Sequence, residues 1–268
     1  MELKDKIAIV TGGAGGIGRA MAEAFIAQGA KGVVISDLDA EKVRTVALAI
    51  GCEGVVADVT NESQVKALVG FTIEKYGCVD LYCSNAGVSG GGSESFLEYS
   101  DDVWQSQWDV HVMAHIYAAR ACLPEMIERK AGYFLVTASA AGLLAALGSG
   151  PYTVTKAAAI KLAEFIAITY GDDGIGVSVL CPQGVNTAMA PRSLGDGQTD
   201  GVIEPNVLAD HVVVALREEL FHVLPHPEVD DYVRRKGDNI DRWLGGMRRL
   251  RRRSCLLYTS PSPRDSDS

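Results

Sequence analysis

Apolar and polar positions along the chain follow two alternating rhythms. Short, nearly continuous runs rich in Val, Ile and Leu are separated by longer stretches in which apolar residues return every three or four positions. The short runs at 7–10, 33–36, 54–57, 79–83, 133–137 and 176–180 predict six buried strands. The longer stretches predict helices near 17–28, 40–50, 62–76, 152–170 and 207–220, with long helical material over 102–129. Strands without polar alternation need cover on both faces, and strands that alternate with helices pair in parallel. Right-handed crossovers then give an α/β fold, a single domain with a doubly wound parallel sheet and helices on both faces. No internal repeat or interdomain linker interrupts the pattern. The stretch 182–205, rich in Gly, Pro and Asp, is long for a connection and is expected to be a binding loop.

Composition narrows the classes. With 47% hydrophobic and 22% charged residues, the chain is an ordinary globular one, neither disordered nor collagen-like. A net charge of −9 gives no global footprint for nucleic acid. Arg248, Arg249, Arg251, Arg252 and Arg253 are expected to be a solvated helix end. No apolar run of about 18 residues predicts a membrane span. The start at Met1 lacks the features of a secretion signal. Six cysteines without a C-x-x-C pair are expected to be reduced core thiols of a cytoplasmic protein, and no metal site is expected. The tail differs in kind. Residues 255–265 are the in-frame translation of a transposase-type sequencing adapter, so 255–268 are expected to be foreign and disordered, and the natural end of the chain is expected to be missing.

Between the first strand and first helix lies Thr11-Gly12-Gly13-Ala14-Gly15-Gly16-Ile17-Gly18. A Gly-rich turn that follows a strand and opens a helix suits a dinucleotide pyrophosphate. Asp37 ends the second strand, where a carboxylate accepts from both ribose hydroxyls and repels a 2′-phosphate. Leu38 follows it, no cation stands beside it, and Arg19 falls inside the helix, so NAD is expected over NADP. Asp39 can cap the following helix in its place. Asp58 and Val59 end the third strand; Asp58 is a candidate for the adenine amino group or for a helix cap. Asn85, Ala86 and Gly87 end the fourth. The small residues leave room for a cofactor, and Asn85 either serves that site or ties strands together.

Tyr152 and Lys156 are one helical turn apart and share a face. A phenol with a pKa of about 10 needs help to exchange protons at neutral pH. The neighbouring ammonium, with a nicotinamide's charge, is expected to lower it. Ser139, just after the fifth strand, can hold a substrate oxygen. Together these pieces resemble the short-chain dehydrogenase/reductase family. They are T-G-x-x-x-G-x-G at Thr11–Gly18, Asp58, N-A-G at Asn85–Gly87, Ser139, Y-x-x-x-K at Tyr152–Lys156, and P-x-x-V-x-T at Pro182–Thr187.

The resemblance covers about residues 5–226 and implies a Rossmann-type catalytic domain, drawn here over 1–254. It also implies hydride transfer between nicotinamide C4 and a carbinol or carbonyl carbon. Tyr152 would exchange the proton, Ser139 would hold the oxygen, and Lys156 would bind ribose and tune Tyr152. Pro182, Val185 and Thr187 would meet the nicotinamide end. A homodimer or homotetramer through the helices at 152–170 and 207–220 is implied as well.

Two positions depart from the family. His111 stands where the family places an Asn that holds a relay water. Imidazole, with a pKa of about 6.5, can relay protons but is bulkier. Gln183 stands where a Gly commonly follows Pro182 and is expected to narrow or polarise the nicotinamide pocket. The expected lining at 89–96, 140–147 and 189–201 is small and apolar, with Arg192 as its one carboxylate clamp, which suits an uncharged alcohol or ketone. The alternative is an impaired, nucleotide-binding relative, with His111 as its only support.

Overall fold

The computed structural model describes residues 1–89, 93, 95–189 and 200–259, with side chains as far as 253. The chain divides into two compact units, Met1–His226 and Pro227–Ser268. The sequence pattern alone predicts one domain through residue 254.

The first unit is built on a seven-stranded parallel sheet ordered β3-β2-β1-β4-β5-β6-β9. Its strands are β1 (Ile7–Thr11), β2 (Gly32–Asp37), β3 (Glu53–Val56), β4 (Leu81–Ser84), β5 (Gly132–Thr137), β6 (Ile175–Leu180) and β9 (His222–Val223). Two short strands, β7 (Gly184–Val185) and β8 (Val202–Ile203), pair separately. The helices α1 (Gly16–Ala27), α2 (Ala40–Ile50) and α8 (Pro205–Glu218) share one apolar cluster with Ala8, Val10, Val33, Ile35, Leu81 and Cys83. The opposite cluster joins Ile9, Val34, Tyr82, Phe134 and Val136 to α3 (Glu62–Tyr76), α5 (Ala114–Arg129) and α7 (Gly150–Tyr170). Alternate strand residues thus enter opposite cores, which is why the strands read as continuous apolar runs.

Strand order reverses between β1 and β4. A crevice therefore opens at their carboxyl ends, where ligands of doubly wound sheets bind. The stretch 102–129 is not one helix. It is α4 (Asp101–Trp108), a π-helical turn at Asp109–Met113, and α5. A four-residue helix, α6 (Ala140–Leu143), follows β5.

The second unit holds α9 (Glu228–Asp238) and α10 (Ile240–Thr259), with the Tyr232 and Trp243 rings 6.4 Å apart. Helix α10 takes in residues 255–259, where a disordered tail was expected; no Pro lies between Pro227 and Pro261. Residues 260–268 lie outside the described ones. Among the described residues no helix is long and apolar enough to cross a membrane, and Cys52, Cys78, Cys83, Cys122 and Cys181 are free thiols.

Candidate active site

The Gly-rich turn is shaped by close approach. Gly12 has φ +63°, and a Cβ there would stand 3.0 Å from the Ala86 Cα and 3.2 Å from Asn85 Nδ2. A Cβ on Gly18 would lie 2.2 Å from the Gly12 carbonyl oxygen, so the helix packs on its own turn only with Gly at that position. Gly16 faces Thr187, and Ile17 packs against the core. The first turn of α1 has Gly15 as its cap and no capping side chain. Its leading N–H groups, with the positive end of the helix dipole, suit a pyrophosphate. An open cleft of about 400 Å³ beside the turn is lined by Gly16, Arg19, Asn186, Thr187 and Asn206, among others. Arg19 pairs with Glu23 at 2.9 Å.

Asp37 ends β2 at the crevice. Its Oδ1 accepts from the Leu38 amide at 2.8 Å and its Oδ2 from the Ala14 amide at 3.3 Å, which ties it to the Gly-rich turn. Asp39 caps α2 and pairs with Lys42, so capping does not explain Asp37. Leu38 is exposed. Asn61 caps α3, which removes the capping alternative for Asp58. Asp58 instead accepts from the Thr60 amide and hydroxyl at 2.9 and 2.7 Å, and Val59 beside it is half-buried.

Asn85 is engaged structurally. Its Nδ2 donates to the Thr11 carbonyl at 2.9 Å, and its Oδ1 accepts from the Thr137 hydroxyl at 3.0 Å, bridging β1 and β5 across the end of β4. The Thr11 hydroxyl accepts from the amides of Asn85 and Ala86. Gly87 follows, and a Cβ there would lie 3.6 Å from His111 Nε2 and 3.7 Å from Lys156 Nζ.

Tyr152, Lys156, Ser139 and His111 come together beyond the ends of β4 and β5. Ser139 caps α6; its hydroxyl bonds the Tyr152 side chain and lies 3.4 Å from the Pro182 carbonyl. Lys156 is buried, with Nζ 2.8 Å from the Thr137 carbonyl and 5.6 Å from the centre of the Tyr152 ring. Burial pushes the Lys156 pKa down to about 8. The expected lowering of the Tyr152 phenol counts on the charge of a bound nicotinamide; in the chain alone the phenol is raised. Burial raises it, against an opposing pull from the Ser139 hydrogen bond. His111 departs from its expected titration near neutrality. It is fully buried, and burial first, then the charge of Lys156, pushes its pKa down to about 2.

Beyond the catalytic cluster, Pro182 is buried and accepts from the Ala140 amide. The Val185 side chain is buried in the core that holds α8. Gln183 is half-buried, and its side-chain amide donates to Asp200 at 2.9 Å. Of the expected lining, 90–92, 94 and 190–199, with Arg192, lie outside the described residues. Thr155, Val88, Thr137 and His115 escaped the sequence reading. Their signal is spatial: each meets the site only through the π-helical turn or the strand ends.

A family model described as short chain dehydrogenase matches residues 6–196. A Streptomyces exfoliatus protein named 1-deoxy-11-beta-hydroxypentalenate dehydrogenase is 30% identical over 251 residues, covering 90% of each chain. "Short chain aldehyde dehydrogenase 1" of Euphorbia lathyris is 36% identical over 203 residues, 74% of this chain and 70% of that one. Among solved structures, a short chain dehydrogenase/reductase from Burkholderia phymatum in complex with NAD superposes with a TM-score of 0.81. It is 29% identical, with 90% of this chain and 96% of that one covered.

Proposed function

Because the chain belongs to the short-chain dehydrogenase/reductase family, and so to the nicotinamide-dependent oxidoreductases, we propose that it oxidises or reduces an uncharged, moderately apolar secondary alcohol or ketone with NAD. Bound NAD would supply C4 of its nicotinamide as hydride acceptor or donor. The observation that carries the reading is the meeting of Tyr152, Ser139 and Lys156 beside the Gly-rich turn.

In this reading the residues divide the work. The first turn of α1 and the close-packed Gly12, Gly16 and Gly18 cradle the pyrophosphate. Asp37 accepts from the adenosine ribose hydroxyls, and Asp58 with Val59 borders the adenine. Ala86 and Gly87 keep the strand end low beneath the cofactor, and Pro182, Val185 and Thr187 border its nicotinamide end. Tyr152 Oη gives its proton to a carbonyl oxygen, or takes one from a hydroxyl. Burial keeps it protonated at neutral pH, which suits it to donate. Ser139 Oγ holds the same oxygen. Lys156 Nζ is held on the Thr137 carbonyl beneath Tyr152 and binds the nicotinamide ribose.

The apolar substrate class is supported by Phe96, which stands beside Gly150 at the start of α7, and by Leu143 and Leu144. The name of the Streptomyces exfoliatus relative denotes dehydrogenation of a hydroxy carboxylate, which supports the hydroxyl as the reacting group and not the uncharged class. Exposed Val154, Phe165 and Ile168 on α7, with Val207 and Val214 on α8, support a symmetric homo-oligomer. The test is turnover on a panel of secondary alcohols and ketones with NAD or NADH. Appearance or loss of NADH absorbance with apolar members is expected; no turnover of any member would overturn the reading.

A further inference from the structure

We propose that His111 is a positioning residue for Tyr152, fixed as one neutral tautomer between Val88 and Thr155, and that it passes no proton during turnover. This rests on the reading of Tyr152 as the proton-transfer residue.

The direction of the hydrogen bonds decides the tautomer. The Val88 amide lies 3.1 Å from His111 Nε2 and can only donate, so Nε2 must offer its lone pair. The ring proton then sits on Nδ1, 3.0 Å from the Thr155 hydroxyl oxygen. Thr155 in turn donates to the Pro151 carbonyl at 2.9 Å. Every bond runs the same way, from Val88 through the imidazole and the hydroxyl to Pro151. A proton wire needs each member to accept on one side and release on the other. This chain begins at an amide that cannot accept and ends at a carbonyl that holds no proton to pass on. The imidazole is a strut, not a conduit.

The strut braces the groups that matter. One end holds the backbone just after Gly87. The other holds α7 at Thr155, beside Lys156 and one turn after Pro151 and Tyr152. The imidazole stands edge-on to the Tyr152 ring, with centroids 5.4 Å apart and planes at 90°. The π-helical turn Asp109–Met113 delivers it there, and such turns re-aim side chains at functional sites. The groups facing it are Lys156 and Tyr152 from α7 and the buried His115 from α5. Lys156 and His115 both disfavour a second ring proton.

Two measurements test this. Long-range ¹H–¹⁵N correlation on histidine-labelled enzyme, with His111→Asn for assignment, reads the tautomer without any substrate. The expected His111 signal is a protonated Nδ1 with an acceptor Nε2, constant from pH 5.5 to 9. A signal that titrates in this range, or a protonated Nε2, would overturn the proposal. The second is kinetic. Thr155→Val takes away the acceptor of the Nδ1 proton and should lower kcat about ten-fold or more, with KM for NAD within about two-fold and Thr155→Ser restoring the rate. An unchanged kcat in a folded Thr155→Val would overturn it. If that variant does not fold, the pH profile of His111→Asn decides. All limbs of the parent profile should persist at a lower rate; loss of an ionisation between pH 5 and 8 would make His111 a proton carrier. An inactive parent enzyme would refute the function, while the tautomer measurement would still judge His111.

Discussion

Replacing Asn85 with Ala separates a strand tie from a cofactor contact. The substitution removes two hydrogen bonds, from Nδ2 to the Thr11 carbonyl at 2.9 Å and from the Thr137 hydroxyl to Oδ1 at 3.0 Å. Each is worth about 0.5–1.5 kcal/mol net, so the loss is about 2 kcal/mol. Asn85 is only half-buried, so water can reach part of the gap and the cost should not rise far above this. For a chain of this size about 2 kcal/mol corresponds to a fall in Tm of about 4–8 °C. Scanning calorimetry or equilibrium denaturation of the enzyme without NAD reads it directly. Asn85→Asp should cost more than Ala near neutral pH, because a carboxylate oxygen then faces the Thr11 carbonyl. That excess should shrink as the pH falls and the carboxyl protonates, since repulsion raises its folded pKa. A Tm within about 1 °C of the parent for Asn85→Ala, with NAD affinity alone weakened, would refute the structural account of this residue.

Three further outcomes follow from the same geometry. Lys156 is pushed down to about 8 from 10.5, so between those pH values the unfolded chain binds the extra proton and the folded one does not. Stability of the parent relative to Lys156→Met should therefore rise from pH 8 to 10.5, by up to about 3 kcal/mol in denaturant titrations; a flat difference would contradict the burial of this amine. The parent should bind NAD at least about ten-fold more tightly than NADP, and Asp37→Ala with Leu38→Arg should reverse the order; equal affinities in calorimetry would remove Asp37 as the discriminator. Light scattering should find a dimer or tetramer, and Phe165→Glu with Ile168→Glu should shift it towards monomer; a monomeric parent at micromolar concentration would refute assembly through α7.

The apolar runs revealed β1, β2, β4, β5 and β6 because both of their faces are buried, and periodicity does not depend on distant contacts; β3, at the sheet edge, was expected to be buried but leaves Gly54 and Val56 exposed. β9 escaped because His222 and Val223 form too short a run to stand out. The Gly-rich turn, Ser139, Tyr152 and Lys156 were legible because local spacing places them. The state of the site was not. The rise of the Tyr152 phenol and the fall of His111 come from burial, which is a property of the assembled core. The π-helical turn at Asp109–Met113 has no composition of its own, so Val88 and Thr155 could not be linked to His111 from sequence. The bond from the Gln183 amide to Asp200, 17 positions away, has no local signal either.

The central claim is that Tyr152 moves the proton. Tyr152→Phe keeps the ring against His111 and above Lys156 while deleting the one hydroxyl bonded to Ser139. The measurement is kcat of this variant on the best substrate of the alcohol panel, alongside its Kd for NAD by calorimetry. A fall in kcat of about a thousand-fold or more, with Kd within a few-fold of the parent, is predicted, because the loss lies in the transition state. A Tyr152→Phe enzyme that keeps kcat within about ten-fold of the parent would contradict it.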